Sequence, residues 1–160
     1  MRAAVVDTNV LIVANQAADH ASPDCVVASI DALSALRRSG VVALDDQFLI
    51  LDEYRGRASL AGQPGVGDAF LRHLYDNLYN ETACRLVTLT SIEGDSFAEF
   101  PADQRLATFD RDDRKFVAVA AGCNPPAVVL NATDTDWWHH REVLEENGVR
   151  VRFLCPEMMR

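Results

Sequence analysis

The chain has 160 residues, 49% of them hydrophobic, and 24 acidic side chains against 15 basic ones give it a formal charge of −9. That length predicts one domain over residues 1–160 with a core of its own, and no apolar run nears the ~20 residues of a membrane span. The acidic balance excludes broad, nonspecific nucleic-acid binding, though acids gathered round a bound cation make net charge a poor guide to the local field.

The first apolar run, Ala3-Ala4-Val5-Val6, reads as a buried parallel strand. It turns polar at Asp7, too early for a signal-peptide core, so the expected location is the cytoplasm. Ser22-Pro23-Asp24 is a helix start with Ser as N-cap and Pro at the first helical position. The helix places Val27, Ile30 and Leu33 on one side and stops at Gly40. A second strand, Val41-Val42-Ala43-Leu44, is followed by Asp45 and Asp46. A helix over 47–57 then sets Glu53 on the face of Leu49 and Ile50. Residues 58–67 are rich in Gly and small side chains and read as a loop. Phe70, Leu71, Leu74, Tyr75 and Leu78 make an apolar stripe at helical spacing. Residues 85–89 form a short strand.

Phe116, Val117 and Ala120 mark another helix, ending at Gly122. The third buried strand, Ala127-Val128-Val129-Leu130, leads to Asn131 and Asp134. A last helix runs from about Trp137 to Asn147 and stops at Gly148. Residues 149–154 alternate apolar and basic side chains, as a half-exposed edge strand does. Strands alternating with helices predict a three-layer α/β/α sandwich with a mainly parallel sheet. Four scattered cysteines without a C-x-x-C pair predict reduced thiols rather than a zinc site or a disulfide framework.

Ligands of such folds sit beyond the carboxyl ends of the strands. Asp7, Asp45, Asp46, Asn131 and Asp134 all fall there. One acid after a strand is an ordinary turn residue; three strands delivering them to one sheet edge suggest a site. Asp113 heads the stripe of Phe116, Val117 and Ala120, where a helix N-terminus also favours negative charge. Asp110 and Asp112 flank it as caps, ligands or solvated acids. Glu53 lies on an apolar face, where burial is costly unless the carboxylate is paired or metal-bound. Carboxylates without His or Cys suit the hard cations Mg²⁺ or Mn²⁺. Two such ions activate water and stabilise the leaving oxygen of a phosphodiester. Arg55, Arg111, Arg114 and Lys115, the chain's only lysine, border these acids and are candidates for substrate phosphates, with plain charge balance as the alternative.

The opening Val5-Val6-Asp7-Thr8-Asn9-Val10-Leu11-Ile12 resembles the first motif of PIN-domain proteins. Glu53 within Ile50-Leu51-Asp52-Glu53-Tyr54 is similar to that family's second acid. Asp113 before Arg114-Lys115-Phe116-Val117-Ala118-Val119-Ala120 is similar to its third, and the stretch from Asn131 to Trp137 to its fourth region. The resemblance covers the whole chain in order. It implies a divalent-metal-dependent ribonuclease with Asp7, Glu53, Asp113 and Asp134 as catalytic metal ligands. Asp136 competes with Asp134 for the fourth role or caps the following helix, and Thr8, Asn9 and Asp110 support the site. It also implies RNA as substrate, and raises a toxin role with an antitoxin partner. The stretch from Gln63 to Pro101 is longer than a minimal toxin needs, and the approach to Asp113 is unlike that of minimal toxins.

His139 and His140 point about 100° apart on a helix and do not share a metal. Trp137 and Trp138 read as core anchors before base-stacking platforms. A homodimer is expected from the stripe of Phe70 to Leu78. Two other functions compete. One is a haloacid-dehalogenase-like phosphatase with Asp7 as nucleophile, for which Asn9 stands where a second aspartate belongs. The other is a non-catalytic PIN-like binding module.

Overall fold

All three side chains of β1 (Ala4–Val6) are buried, as an uninterrupted apolar run in a parallel sheet requires. The computed structural model describes residues 2–159. After β1 come α1 (Thr8–Ala14), α2 (Pro23–Ser39), β2 (Val42–Asp45), α3 (Leu49–Arg55), α4 (Val66–Asp76) and β3 (Cys84–Val87). A small antiparallel hairpin of β4 (Ser91–Ile92) and β5 (Ser96–Phe97) follows. Then come α5 (Arg114–Gly122), β6 (Val128–Asn131), α6 (Thr135–His139), α7 (Arg141–Glu146) and β7 (Arg150–Phe153).

Among the described residues the main sheet has five parallel strands in the order β3-β2-β1-β6-β7. The chain moves outward from β1 to β3, then returns to the other side of β1. The order therefore reverses between β1 and β6, the crevice where such sheets place ligands. α1, α2 and α4 pack on one another, and α5 packs on β1, β2 and β6, giving the expected three-layer α/β/α sandwich. β7 is the edge strand its alternation predicts, with Arg150 and Arg152 exposed.

The start and end of α2 are as expected, with the Ser22 hydroxyl accepting from the Cys25 amide at 3.1 Å. Its buried face is not. Cys25, Ser29, Ala32 and Leu33 are buried, whereas Val27 is 56% exposed. Small side chains let α2 approach α1 and α4 closely, and a face built from them carries little hydrophobic signal. In α4, Phe70, Leu71 and Leu74 are fully buried within the single chain. This stripe belongs to the protein's own core, so the sequence-based argument for a homodimer loses its support. The helix expected over 137–147 is two helices. The ladder breaks at His140, where Arg141 donates to the Trp138 carbonyl at 2.7 Å.

Reduced thiols were expected throughout, but Cys25 and Cys155 form a disulfide. They lie 130 residues apart in sequence and meet because the C-terminal segment packs over the start of α2. The Ser22 hydroxyl donates to Glu157 beside them at 3.0 Å. Cys84 and Cys123 are free and buried. Among the described residues, no helix is long and apolar enough to cross a membrane.

Candidate metal centre

Asp7 is the N-cap of α1, set there by the end of β1. Its Oδ1 accepts from the Asn9 amide at 3.5 Å and its Oδ2 from the indole of Trp137 at 2.6 Å. Asp113 stands at the head of α5, as its position before the apolar stripe predicts. It makes no side-chain capping bond, so an ordinary N-cap role does not account for it. Its Oδ2 is buried without a hydrogen-bond partner among the described residues. Asp134 ends the loop after β6. One carboxylate oxygen from each of Asp7, Asp113 and Asp134 lies within 4.8 Å of the others.

Two buried carboxylates this close, with a third beside them, resist ionisation. Burial first, then the charge of Asp134, pushes the Asp7 carboxyl up to about 7, against the pull of the Trp137 bond. Burial first, then the charge of Asp7 and a hydrogen bond with Asp134, pushes Asp113 up to about 9. An oxygen-only donor set with an orphaned buried carboxylate oxygen fits a hard divalent cation such as Mg²⁺ or Mn²⁺.

No protein-family model, curated protein or solved structure matches this chain.

Glu53 is close enough for its charge to raise the Asp7 pKa, yet it is not one of the three clustered acids. Lys115 Nζ lies 2.7 Å from its Oε1, and the Thr8 hydroxyl donates to its Oε2. Its helix is held by two side chains. Asp45 is fully buried and accepts from the amides of Gln47, Leu49 and Ile50 at 3.1, 2.9 and 3.0 Å. It replaces a cap that Phe48, in the left-handed region at φ 61°, does not supply. The buried hydroxyl of Tyr54 donates to the Val6 carbonyl and ties α3 to the end of β1. Asp45 is therefore a structural acid, and so is Asp46, which accepts from the Leu89 amide at 3.2 Å.

Asn9 bridges the start of α1 to the Asp134 loop. Its Nδ2 donates to Asn131 Oδ1 at 2.9 Å, and its Oδ1 accepts from the Ala132 amide at 2.9 Å. Asn131, fully buried, donates to the Asp134 carbonyl at 3.0 Å and accepts from its amide at 3.3 Å. Asn9 thus contacts the Asp134 loop and Thr8 contacts Glu53.

Other expectations are corrected. Asp136 does not join the cluster, because its Oδ2 accepts from the Asp110 amide at 2.9 Å and its Oδ1 lies 3.2 Å from His140 Nδ1. Nor does Asp136 cap α6; Asp134 does, accepting from the Asp136 amide at 3.0 Å. Asp110 is exposed and supports the site indirectly, accepting from the Asp112 amide at 3.0 Å in the turn before Asp113. A groove of about 440 Å³ opens between α3, the β4–β5 hairpin and the turn at 111–115, with Glu53, Arg111 and Lys115 among its walls. Arg111 thus lines this groove. Arg114 lies over the Phe100 ring at 4.8 Å and donates to the Ala107 carbonyl, away from this groove. Arg55 is exposed, 3.8 Å from Asp52.

Sequence reasoning overlooked Trp137 and Tyr54 as site residues, and the β4–β5 hairpin as a groove wall; it set Asn131 at the sheet edge with the acids without giving it a role. Trp137 does anchor α6 in the core; what no spacing reveals is that its one polar atom reaches Asp7.

Proposed function

We propose that this chain is a divalent-cation-dependent nuclease that hydrolyses RNA phosphodiesters, a PIN-like ribonuclease. The observation that carries the reading is the cluster of Asp7, Asp113 and Asp134, the first two buried, with an unpartnered oxygen on Asp113. Like charges packed this way are costly in the absence of a cation. Asp7, Asp113 and Asp134 would hold the ion. A bound divalent cation supplies a water of lowered pKa and polarises a phosphoryl oxygen. Trp137 and Asn9 orient the Asp7 and Asp134 ends of the site. Arg111 and Lys115 offer positive charge on the groove side for a substrate phosphate. Magnesium or manganese follows from the oxygen-only donors; RNA, rather than another phosphodiester, follows from the resemblance of the motifs around Asp7, Glu53 and Asp113.

The phosphatase alternative is weaker on this geometry. Asn9 is committed to Asn131 and Ala132, and both oxygens of Asp7 already accept hydrogen bonds. The toxin role and its antitoxin partner rest on the resemblance alone and form no part of the proposal.

The test is a panel of single-stranded RNA, single-stranded DNA and small phosphomonoesters, each with Mg²⁺, Mn²⁺ or chelator. Cation-dependent RNA cleavage that Asp7→Asn and Asp113→Asn abolish is the expected result. Phosphate release from monoesters alone would replace the nuclease with a phosphatase. Cation binding without turnover of any substrate would leave a binding module.

A further inference from the structure

Glu53 and Lys115 stand apart from the three clustered carboxylates, and their arrangement bears on how many cations the site takes. Lys115 is the only lysine in the chain. Its side chain is 13% exposed, and its Nζ sits 2.7 Å from Glu53 Oε1. The same ammonium donates to the Asp112 carbonyl, in the turn that delivers Asp113. Glu53's second oxygen accepts from the Thr8 hydroxyl. Both oxygens of the fourth acid are therefore engaged, whereas the trio has a buried oxygen to spare.

We propose that the centre takes one divalent cation, on Asp7, Asp113 and Asp134, and that the Lys115 ammonium occupies the position a second cation would take. This rests on the cation-site reading above. The geometry supports it in three ways. A second divalent ion on Glu53 must displace an ammonium at contact distance or sit beside it against like-charge repulsion. The ammonium is held in place by two acceptors from different elements, Glu53 Oε1 on α3 and the Asp112 carbonyl in the turn before α5. Lys115 and Glu53 both wall the groove beside Arg111, so a fixed positive charge faces the side open to substrate. There the ammonium takes a non-bridging phosphate oxygen, a role a metal ion fills in two-metal sites.

The experiment is Mn²⁺ titration of the full chain by calorimetry, with electron paramagnetic resonance of the loaded protein, for the parent, Lys115→Arg and Lys115→Met. Lys115→Gln, which keeps a donor for the Asp112 carbonyl, replaces Lys115→Met if that variant does not fold. One Mn²⁺ with an isolated-ion spectrum is expected for the parent and Lys115→Arg. Two Mn²⁺ with a spin-coupled spectrum are expected once the ammonium is gone and Glu53 is released. Two ions in the parent, or a single ion still in Lys115→Met, would overturn the proposal and leave the cation site standing. No Mn²⁺ in the parent would overturn the cation site itself.

Discussion

The indole N–H of Trp137 donates to Asp7 Oδ2 at 2.6 Å, a buried bond between residues 130 positions apart. It favours the ionised carboxylate against the burial and the Asp134 charge that oppose it. It also leaves Oδ1, which accepts only a long 3.5 Å bond from the Asn9 amide, as the less engaged oxygen of Asp7. Trp137→Phe keeps the ring and removes the donor. Partners of this kind are worth about 10–100-fold in metal affinity. Mn²⁺ affinity at pH 7 should fall by that order, and by less at pH 9, where Asp7 ionises without help. Equal affinity of the variant and the parent at pH 7 would show that the bond orients nothing.

Metal-free stability should fall as pH rises. Asp7 and Asp113 hold their protons to about 7 and about 9 in the folded chain, because burial opposes their charge. Unfolded, an aspartate ionises near ~3.9. Between these limits the folded state binds more protons, so the slope of unfolding free energy with pH from these groups is negative. Their effect is absent below the unfolded pKa, grows as pH climbs towards 9, and is constant above it. A cation must expel the same protons, so its affinity climbs over the same window. Melting curves in chelator and in millimolar Mg²⁺ from pH 5 to 9 test both halves. The gain in melting temperature from Mg²⁺ should be largest at the alkaline end; a gain that shrinks with pH would count against the trio as ligands.

The sheet was legible because its central strands are uninterrupted apolar runs with polar residues at their carboxyl ends. Asp7, Asp113 and Asp134 were legible for a related reason: each breaks a local rule, an acid at the edge of a buried element, and the three converge. Asp45 breaks the same rule, yet three backbone amides satisfy it. A sequence shows the anomaly and not which partner resolves it. Trp137 and Tyr54 were illegible because each joins the site by one polar atom across a long separation, while the rest of the side chain fills ordinary core. The α2 face was misread because Cys25, Ser29 and Ala32 are small. The Cys25–Cys155 pair was missed because nothing in scattered cysteines says which two the fold brings together.

That disulfide closes a loop spanning 130 residues. Cross-links of long loops stabilise by about 2–5 kcal/mol, chiefly by restricting the unfolded chain. Cys25→Ala with Cys155→Ala should lower the unfolding free energy by that order in urea. Mn²⁺ affinity should not change, because both cysteines pack α2 against the C-terminal segment and neither belongs to the carboxylate cluster. A double variant as stable as the parent would mean that the bridge adds nothing to the packing around it.

The bridge from Asn9 to the Asp134 loop gives the most direct test of how the site is built. Both polar atoms of the Asn9 side chain are used: Nδ2 donates to Asn131 Oδ1 and Oδ1 accepts from the Ala132 amide, at 2.9 Å each. Asn9→Ala leaves that amide, in a fully buried residue, without its partner. An unsatisfied buried donor costs about 1–3 kcal/mol, so the midpoint in urea should shift down with no change in slope. The loop then keeps its own Asn131–Asp134 bonds but loses its tie to the start of α1, which Asp7 caps. Asp134 is no longer held at a fixed distance from Asp7, and Mn²⁺ affinity should fall with stability. Asn9→Asp separates the two effects. It keeps an acceptor for the Ala132 amide but sets a carboxylate against Asn131 Oδ1. The Asp134 loop should be pushed away, with a loss of Mn²⁺ affinity larger than the loss of stability explains. If Asn9→Asp instead binds Mn²⁺ more tightly, position 9 is a ligand position, and the bridge is not what aligns the two ends of the site.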